Sequence, residues 1–176
     1  MPCFHPLTTL SRITLQMGVA LLVAGAWPCA HALDAPQGKV VLTLSGKVAE
    51  PNDGPLAKLD MAMIRKLPQV SFTTQTPWDA KPVKFTGPRL KDVLALVKGS
   101  GSTVVAVALN DYKITIPAAD LTAHGVLLAH QIDDADIPVR TKGPLFIVYP
   151  FDSKPELKSS KFFERSIWQL KAIELQ

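Results

Sequence analysis

The chain has 176 residues, 47% hydrophobic and 19% charged, a balance that suits one globular domain and excludes a disordered or fibrous polymer. Fifteen prolines and ten glycines argue against a long coiled coil or helical bundle, because both residue types interrupt helices. The formal charge of +4 is mild and its lysines and aspartates are interspersed, so there is no electrostatic case for nucleic acid.

Residues 1–32 carry the three parts of an export signal. A lone cation, Arg12, precedes the apolar stretch Met17 to Trp27, which is too short to span a bilayer and is followed by the small-residue pattern Ala30-His31-Ala32. Cleavage after Ala32 and a periplasmic location are therefore expected, in preference to an uncleaved membrane anchor. Cys29 raises the possibility of a lipoprotein, but Ala26-Trp27-Pro28 lacks the residues expected before a lipidated cysteine. Without this segment, 18 basic and 15 acidic residues leave a charge of +3 and no transmembrane segment. Both cysteines, Cys3 and Cys29, depart with it, so residues 33–176 hold no thiol for a disulfide, a metal or covalent catalysis. A domain of this size hides about 68–70% of the surface its unfolded chain exposes, enough to stand without staples.

After a loose leader, Leu33 to Gly38, the alternation of Val40, Leu42, Leu44 and Val48 with more polar neighbours predicts a strand. Glu50 to Pro55 is dense in turn residues. Asp60 then caps a short helix, Met61 to Lys66, which Pro68 stops. Val70 to Thr76 is β-branched and aromatic and predicts a second strand. Gly87-Pro88 opens the clearest helix, with Leu90, Val93, Leu94 and Val97 on one face and Gly99 at its end. Gly99 to Ser102 reads as a flexible connector, since it lacks the Lys-Ser/Thr of a phosphate loop.

Thr103 to Leu109 and Tyr112 to Ile116 flank Asn110-Asp111 and predict a β-hairpin with Tyr112, Ile114 and Ile116 on one face. Pro117 suits the first turn of a brief helix, Ala118 to Thr122. Val126 to Ile132, Ile137 to Arg140 and Leu145 to Tyr149 are read as further extended segments, and Ile167 to Leu175 as a closing strand with Trp168, Leu170 and Ala172 on one side. The tally is a sheet-dominated α+β domain with short helices.

Few residues advertise chemistry. His124 and His130 lack a third Cys or His ligand, and Asp133, Asp134 and Asp136 lack the glycine and distal glutamate of a calcium loop, so a strand histidine, a turn histidine and a solvated hairpin tip are expected. No nucleophile elbow, His-Glu-x-x-His or dinucleotide glycine fingerprint occurs. Lys154, Lys158, Lys161 and Arg165 surround Phe162 and Phe163, which reads as a surface loop whose aromatics tuck into the core, with contact to an acidic partner as the alternative. Arg140, Lys142 and Gly143 form a turn in which cations beside a glycine could approach an anionic ligand.

The order of the parts carries a resemblance. Phe85-Thr-Gly-Pro-Arg-Leu-Lys-Asp-Val-Leu94, Asn110 to Leu121, Val126-Leu-Leu-Ala-His130, Ile137-Pro-Val and Lys142-Gly-Pro-Leu-Phe-Ile-Val-Tyr-Pro150 together resemble the oxidoreductase molybdopterin-binding domain of the sulfite oxidase fold, over about residues 39–175. The resemblance implies a cysteine thiolate ligating molybdenum shortly before the helix at Pro88, and two-electron redox chemistry at the metal. The matching stretch, Phe72-Thr-Thr-Gln-Thr-Pro-Trp78, has no cysteine, and Phe146 stands where the family tends to place an arginine that holds the anionic cofactor. A chain this short is also brief for a complete enzyme of the type. The expectation is a periplasmic, non-catalytic domain with no cofactor or metal, binding a small ligand, an anionic one included, or serving a membrane sensor or redox partner. Its pocket would lie between the Thr73 to Trp78 segment and the Arg140 to Gly143 turn, lined by Thr74, Gln75, Trp78, Tyr112, Arg140, Lys142 and Gly143. The alternative is a molybdopterin-dependent oxidoreductase with noncysteine ligation, and a third reading is a structural subunit without a ligand.

Overall fold

The computed structural model describes residues 33–176; the expected export signal lies outside the described residues. In chain order the elements are β1 (Val40–Gly46), β2 (Ala57–Asp60), α1 (Met61–Lys66), β3 (Gln69–Thr74), β4 (Val83–Pro88), α2 (Leu90–Leu96), β5 (Thr103–Ala108), β6 (Lys113–Pro117), α3 (Ala118–Ala123), β7 (Leu127–Ala129), β8 (Gln131–Ile132), β9 (Ala135–Asp136), β10 (Phe146–Val148), two 3-10 turns (Phe151–Ser153 and Pro155–Leu157), α4 (Ser160–Arg165) and β11 (Leu170–Leu175). They form three sheets, ordered β2-β1-β11-β5-β6, β3-β4-β8-β9 and β10-β7.

In the five-stranded sheet the period-two pattern of β1 places Leu42 and Leu44 wholly inside. Its first and last strands pair in parallel, β1 with β11, so the chain's end closes the sheet it began. The remaining pairs in that sheet are antiparallel, including the predicted β5–β6 hairpin across Asn110 and Asp111. A register shift between Leu170 and Ala172 breaks the alternation expected of the closing strand. The buried side is consequently Leu170, Ile173 and Leu175, while Ala172 is half-buried.

The β7–β10 ribbon is buried on both faces, with Leu127, Leu128, Ala129, Phe146, Ile147 and Val148 all at 0% exposure. That explains why its sequence reads as continuous apolar runs rather than an alternation. Next to it, β3 and β4 pair in register, with Phe72 opposite Phe85. A Cβ on Gly87 would collide with the carbonyl of Leu128, so only glycine lets β4 cross this close to β7.

The helices follow their local signals. The Asp60 carboxylate accepts from the amide of Met63 at 2.8 Å and caps α1, and it also accepts from Gly38 at 2.7 Å and Gln37 at 2.8 Å, tying down the leader. These amides, Met63 and Gly38 foremost, hold its carboxyl below the usual range. Leu67, preceding Pro68, turns extended and ends the helix.

Several expectations are corrected. β2 and β4 are strands that the turn-rich and proline-flanked stretches concealed, and Gly87-Pro88 ends β4 instead of opening α2. Val126 to Ile132 divides at His130 into β7 and β8, which lie in different sheets. Ile137 to Arg140 is not a strand: Thr141 and Gly143 both donate to the Pro138 carbonyl, at 3.0 and 2.9 Å, and fold it into a turn. The segment around Phe162 and Phe163 is helix α4 rather than a loop, although Phe162 does tuck into the core.

Candidate functional site

β3 delivers the chain to Thr74, and the next five residues are fixed by their own side chains. Thr74 is buried; its hydroxyl accepts from the Asp152 amide at 2.9 Å and faces the Asp152 carboxylate at 3.3 Å. The Gln75 amide donates to that carboxylate at 2.6 Å, and the Gln75 side chain donates to the carbonyls of Thr76 and Asp79 at 2.9 and 2.6 Å. The Thr76 hydroxyl accepts from the Trp78 amide at 3.2 Å and donates to Asp79 at 2.7 Å. Lys158 completes the surroundings of Asp152 at 2.6 Å, and the hydrogen bonds from Lys158 and Gln75 draw its carboxyl below the usual range.

This turn sets Trp78 at the hub of an aromatic cluster. Its ring lies 5.4 Å from Trp168, 6.0 Å from Phe146, 6.1 Å from Phe151 and 6.3 Å from Phe163. The Trp78–Trp168 pair is close to perpendicular, at 82°, and forms one corner of a 380 Å³ cavity. Tyr112 and Asn110 from the β5–β6 turn, Phe163 and Glu164 from α4, and Ala108, Ser166 and Ile167 complete its lining. Tyr112 is 49% and Trp168 37% exposed, so the cavity opens to solvent. Its size falls within the range of small-molecule sites.

Of the residues expected to bind a ligand, the structure brings Trp78 and Tyr112 together in this cavity. Thr74 and Gln75 precede Trp78 in the chain and are engaged internally, as above. Lys142 donates to both oxygens of Asp79, at 2.7 and 2.8 Å, while its carbonyl accepts from Gln169 at 2.9 Å. It therefore links the segment bearing Trp78 to the one bearing Trp168. Partial burial of Asp79 works against its ionisation, but the hydrogen bonds from Lys142 and Thr76 outweigh it and lower its carboxyl overall. Gly143 is needed for a backbone reason: a Cβ there would collide with the Ile137 carbonyl, so the close approach is made by the chain itself. Arg140 is exposed, is not among the residues lining the cavity, and makes no side-chain hydrogen bond or ion pair among the described residues.

Sequence reasoning missed Phe163, Glu164, Asn110 and the role of Trp168. The available signal was that Trp78 and Trp168 are the only tryptophans after residue 32; nothing local shows that they meet.

Other candidates resolve into structural contacts. Asp136 pairs with Arg65 and Asp134 with Lys84, at the tip of the β8–β9 hairpin. His124 packs against Phe162 at 5.2 Å and Tyr149 at 6.3 Å, whereas His130 shares a hydrogen bond with Gln69 at 2.9 Å. Arg165 donates to Asp120 at 2.7 Å, and the buried Tyr149 hydroxyl donates to the same oxygen at 2.9 Å. Burial, followed by the Asp120 charge, pushes the tyrosine far above its ordinary range.

Residues 34–152 match the profile of the oxidoreductase molybdopterin binding domain family. The chain belongs to this family. Its sheet-rich architecture with four short helices is the α+β arrangement of the sulfite oxidase type. No curated protein matches the chain in a sequence comparison. Among the described residues no helix is long and apolar enough to cross a membrane.

The family implies a molybdenum centre, whose metal calls for a soft anionic sulfur ligand. Residues 33–176 contain no cysteine. The hydroxyls and amide of Thr74, Gln75 and Thr76 are neutral and already engaged with Asp152, Asp79 and each other. The residues at this position do not fit thiolate ligation of a metal.

Proposed function

We propose that residues 33–176 act as an exported, periplasmic binding or accessory module that keeps the scaffold of the family without its metal chemistry. The observation that carries this reading is the closed hydrogen-bond network of Thr74–Asp79, which leads into Trp78 and the aromatic cavity that it lines. Trp78 and Tyr112 supply stacking surface to a small ligand, and Lys142 positions the Trp78 segment through Asp79. Thr74 and Gln75 hold the same segment through Asp152. An occupied cavity would then report to a membrane sensor or redox partner.

The second reading, which rests on family membership, is a molybdopterin-dependent oxidoreductase with noncysteine ligation. Metal analysis of the protein purified from the compartment to which its own cells send it separates the two. The binding-module reading expects far less than one molybdenum per chain and no pterin fluorescence after denaturation. One molybdenum per chain with turnover would overturn it.

A further inference from the structure

The chemistry of the cavity lining is uneven. Four aromatic side chains, Trp78, Tyr112, Phe163 and Trp168, share it with a single charged residue, Glu164. Glu164 is exposed and has no ion-pair or hydrogen-bond partner among the described residues. The cations nearest to Glu164 in sequence are engaged elsewhere: Arg165 is held by Asp120, Lys161 lies 5.1 Å over the Phe162 ring and Lys158 pairs with Asp152, while Lys142, farther along the chain, pairs with Asp79. Among the described residues no arginine, lysine or histidine lines the cavity to receive an anion.

An aromatic ring carries negative charge on its faces and positive charge at its edge. A cation within about 6 Å of a ring centroid is attracted to that face, and tryptophan is the strongest partner. Trp78, Trp168 and the exposed Tyr112 line the cavity together with Glu164, a carboxylate without a partner among the described residues. Placing an anion here would add its desolvation cost to repulsion from Glu164.

We propose that this cavity binds a small organic cation, a quaternary or fully alkylated ammonium group seated among Trp78, Trp168 and Tyr112 with Glu164 as its counter-charge. The proposal rests on the binding-module reading and names the ligand class of that site. A bulky alkylated ammonium suits it better than a primary amine. Its charge is spread over apolar carbons that contact rings, and it does not require the hydrogen-bond acceptors that a strongly hydrated ammonium would lose.

Choline and tetramethylammonium are the probes, with 3,3-dimethylbutan-1-ol as the uncharged isostere of choline and acetate as the anion. Each is titrated into the purified protein by calorimetry and by tryptophan emission, since two of the chain's three tryptophans line the cavity. Choline is expected to bind about fivefold more tightly than the uncharged isostere, the difference that a cation–aromatic contact supplies in a cavity open to solvent. Acetate should not bind. Glu164→Gln should weaken choline about threefold and leave the isostere unchanged. Tyr112→Ala, at an exposed position, should weaken choline by a similar factor.

Equal binding of choline and its isostere, both lost in Trp168→Ala, would overturn the cation assignment while leaving the binding-module reading standing. No heat and no emission change with any probe would also overturn the cation assignment. The molybdenum measurement tests the underlying reading independently of these titrations.

Discussion

Asp120→Ala tests what joins the aromatic cavity to the rest of the domain. Asp120 lies on α3, Tyr149 just beyond β10 and Arg165 at the end of α4, the helix that contributes Phe163 and Glu164 to the cavity. One carboxylate oxygen accepts from both partners, at 2.9 and 2.7 Å. Truncation leaves a fully buried tyrosine hydroxyl without an acceptor and a guanidinium without its charge. Breaking a buried ion pair costs about 3–5 kcal/mol, and a hydrogen bond to a charged group contributes about 1.5–3 kcal/mol. The two effects overlap, and the side chains of Arg165 and Asp120 retain 17% and 12% exposure, so water softens the loss. The expected cost is about 3 kcal/mol, equivalent to a fall in melting temperature of about 10 °C for a domain of this size. Asp120→Asn keeps an oxygen for Tyr149 but uncouples Arg165, and should cost about 2 kcal/mol. Tyr149→Phe removes the hydroxyl alone and should cost about 1 kcal/mol. Urea unfolding followed by circular dichroism measures all three. An Asp120→Ala cost below about 0.5 kcal/mol, or a Tyr149→Phe cost equal to it, would refute the assignment of Asp120 as the shared anchor.

Lys142→Met should cost under about 1 kcal/mol of stability, since both ion-pair members are about a quarter exposed, yet weaken choline by about threefold through the released Trp78 segment; unchanged affinity would remove Lys142 from the positioning role. Gly143→Ala should destabilise the domain by about 2 kcal/mol or more, because the new methyl meets the Ile137 backbone carbonyl; a neutral melting temperature would contradict that clash. Burial, with Arg65 adding to it and Asp136 opposing, depresses His130 below its ordinary value of 6.5. The unfolded chain then takes up a proton that the folded chain resists, so the penalty is absent well above pH 6.5 and grows as pH falls below it. Urea midpoints should drop from pH 7 to pH 5, and His130→Gln should flatten that slope; a slope identical in the variant would place its origin elsewhere.

Much of the scaffold was legible without coordinates because its signals are local. The alternation of β1, the Asp60 cap, the face of α2, and the β5–β6 hairpin each depend on residues within a few positions of one another. The order of the segments from Phe85 to Pro150 pointed to the family. β2 and β4 escaped because short strands bounded by prolines resemble turns, and Ile137 to Arg140 misled because its two β-branched residues suggest a strand while its proline suits the turn anchored on Pro138.

The site divides along the same line. Composition alone determined that residues 33–176 have no thiolate to offer a metal, since this follows from counting cysteines. It also marked Trp78 and Tyr112 as stacking candidates, because large amphipathic rings are chemically conspicuous. Whether Lys142 faced a ligand or a carboxylate depended on Asp79, 63 residues away, and only the folded chain brought them together. Trp78 and Trp168 are far apart in the chain, and neither sequence neighbourhood contains any trace of the other. A ring's partner, and the net charge of the cavity it helps to build, is set by long-range packing, so only the tertiary structure could decide that Glu164, rather than Arg140, supplies the cavity's charge.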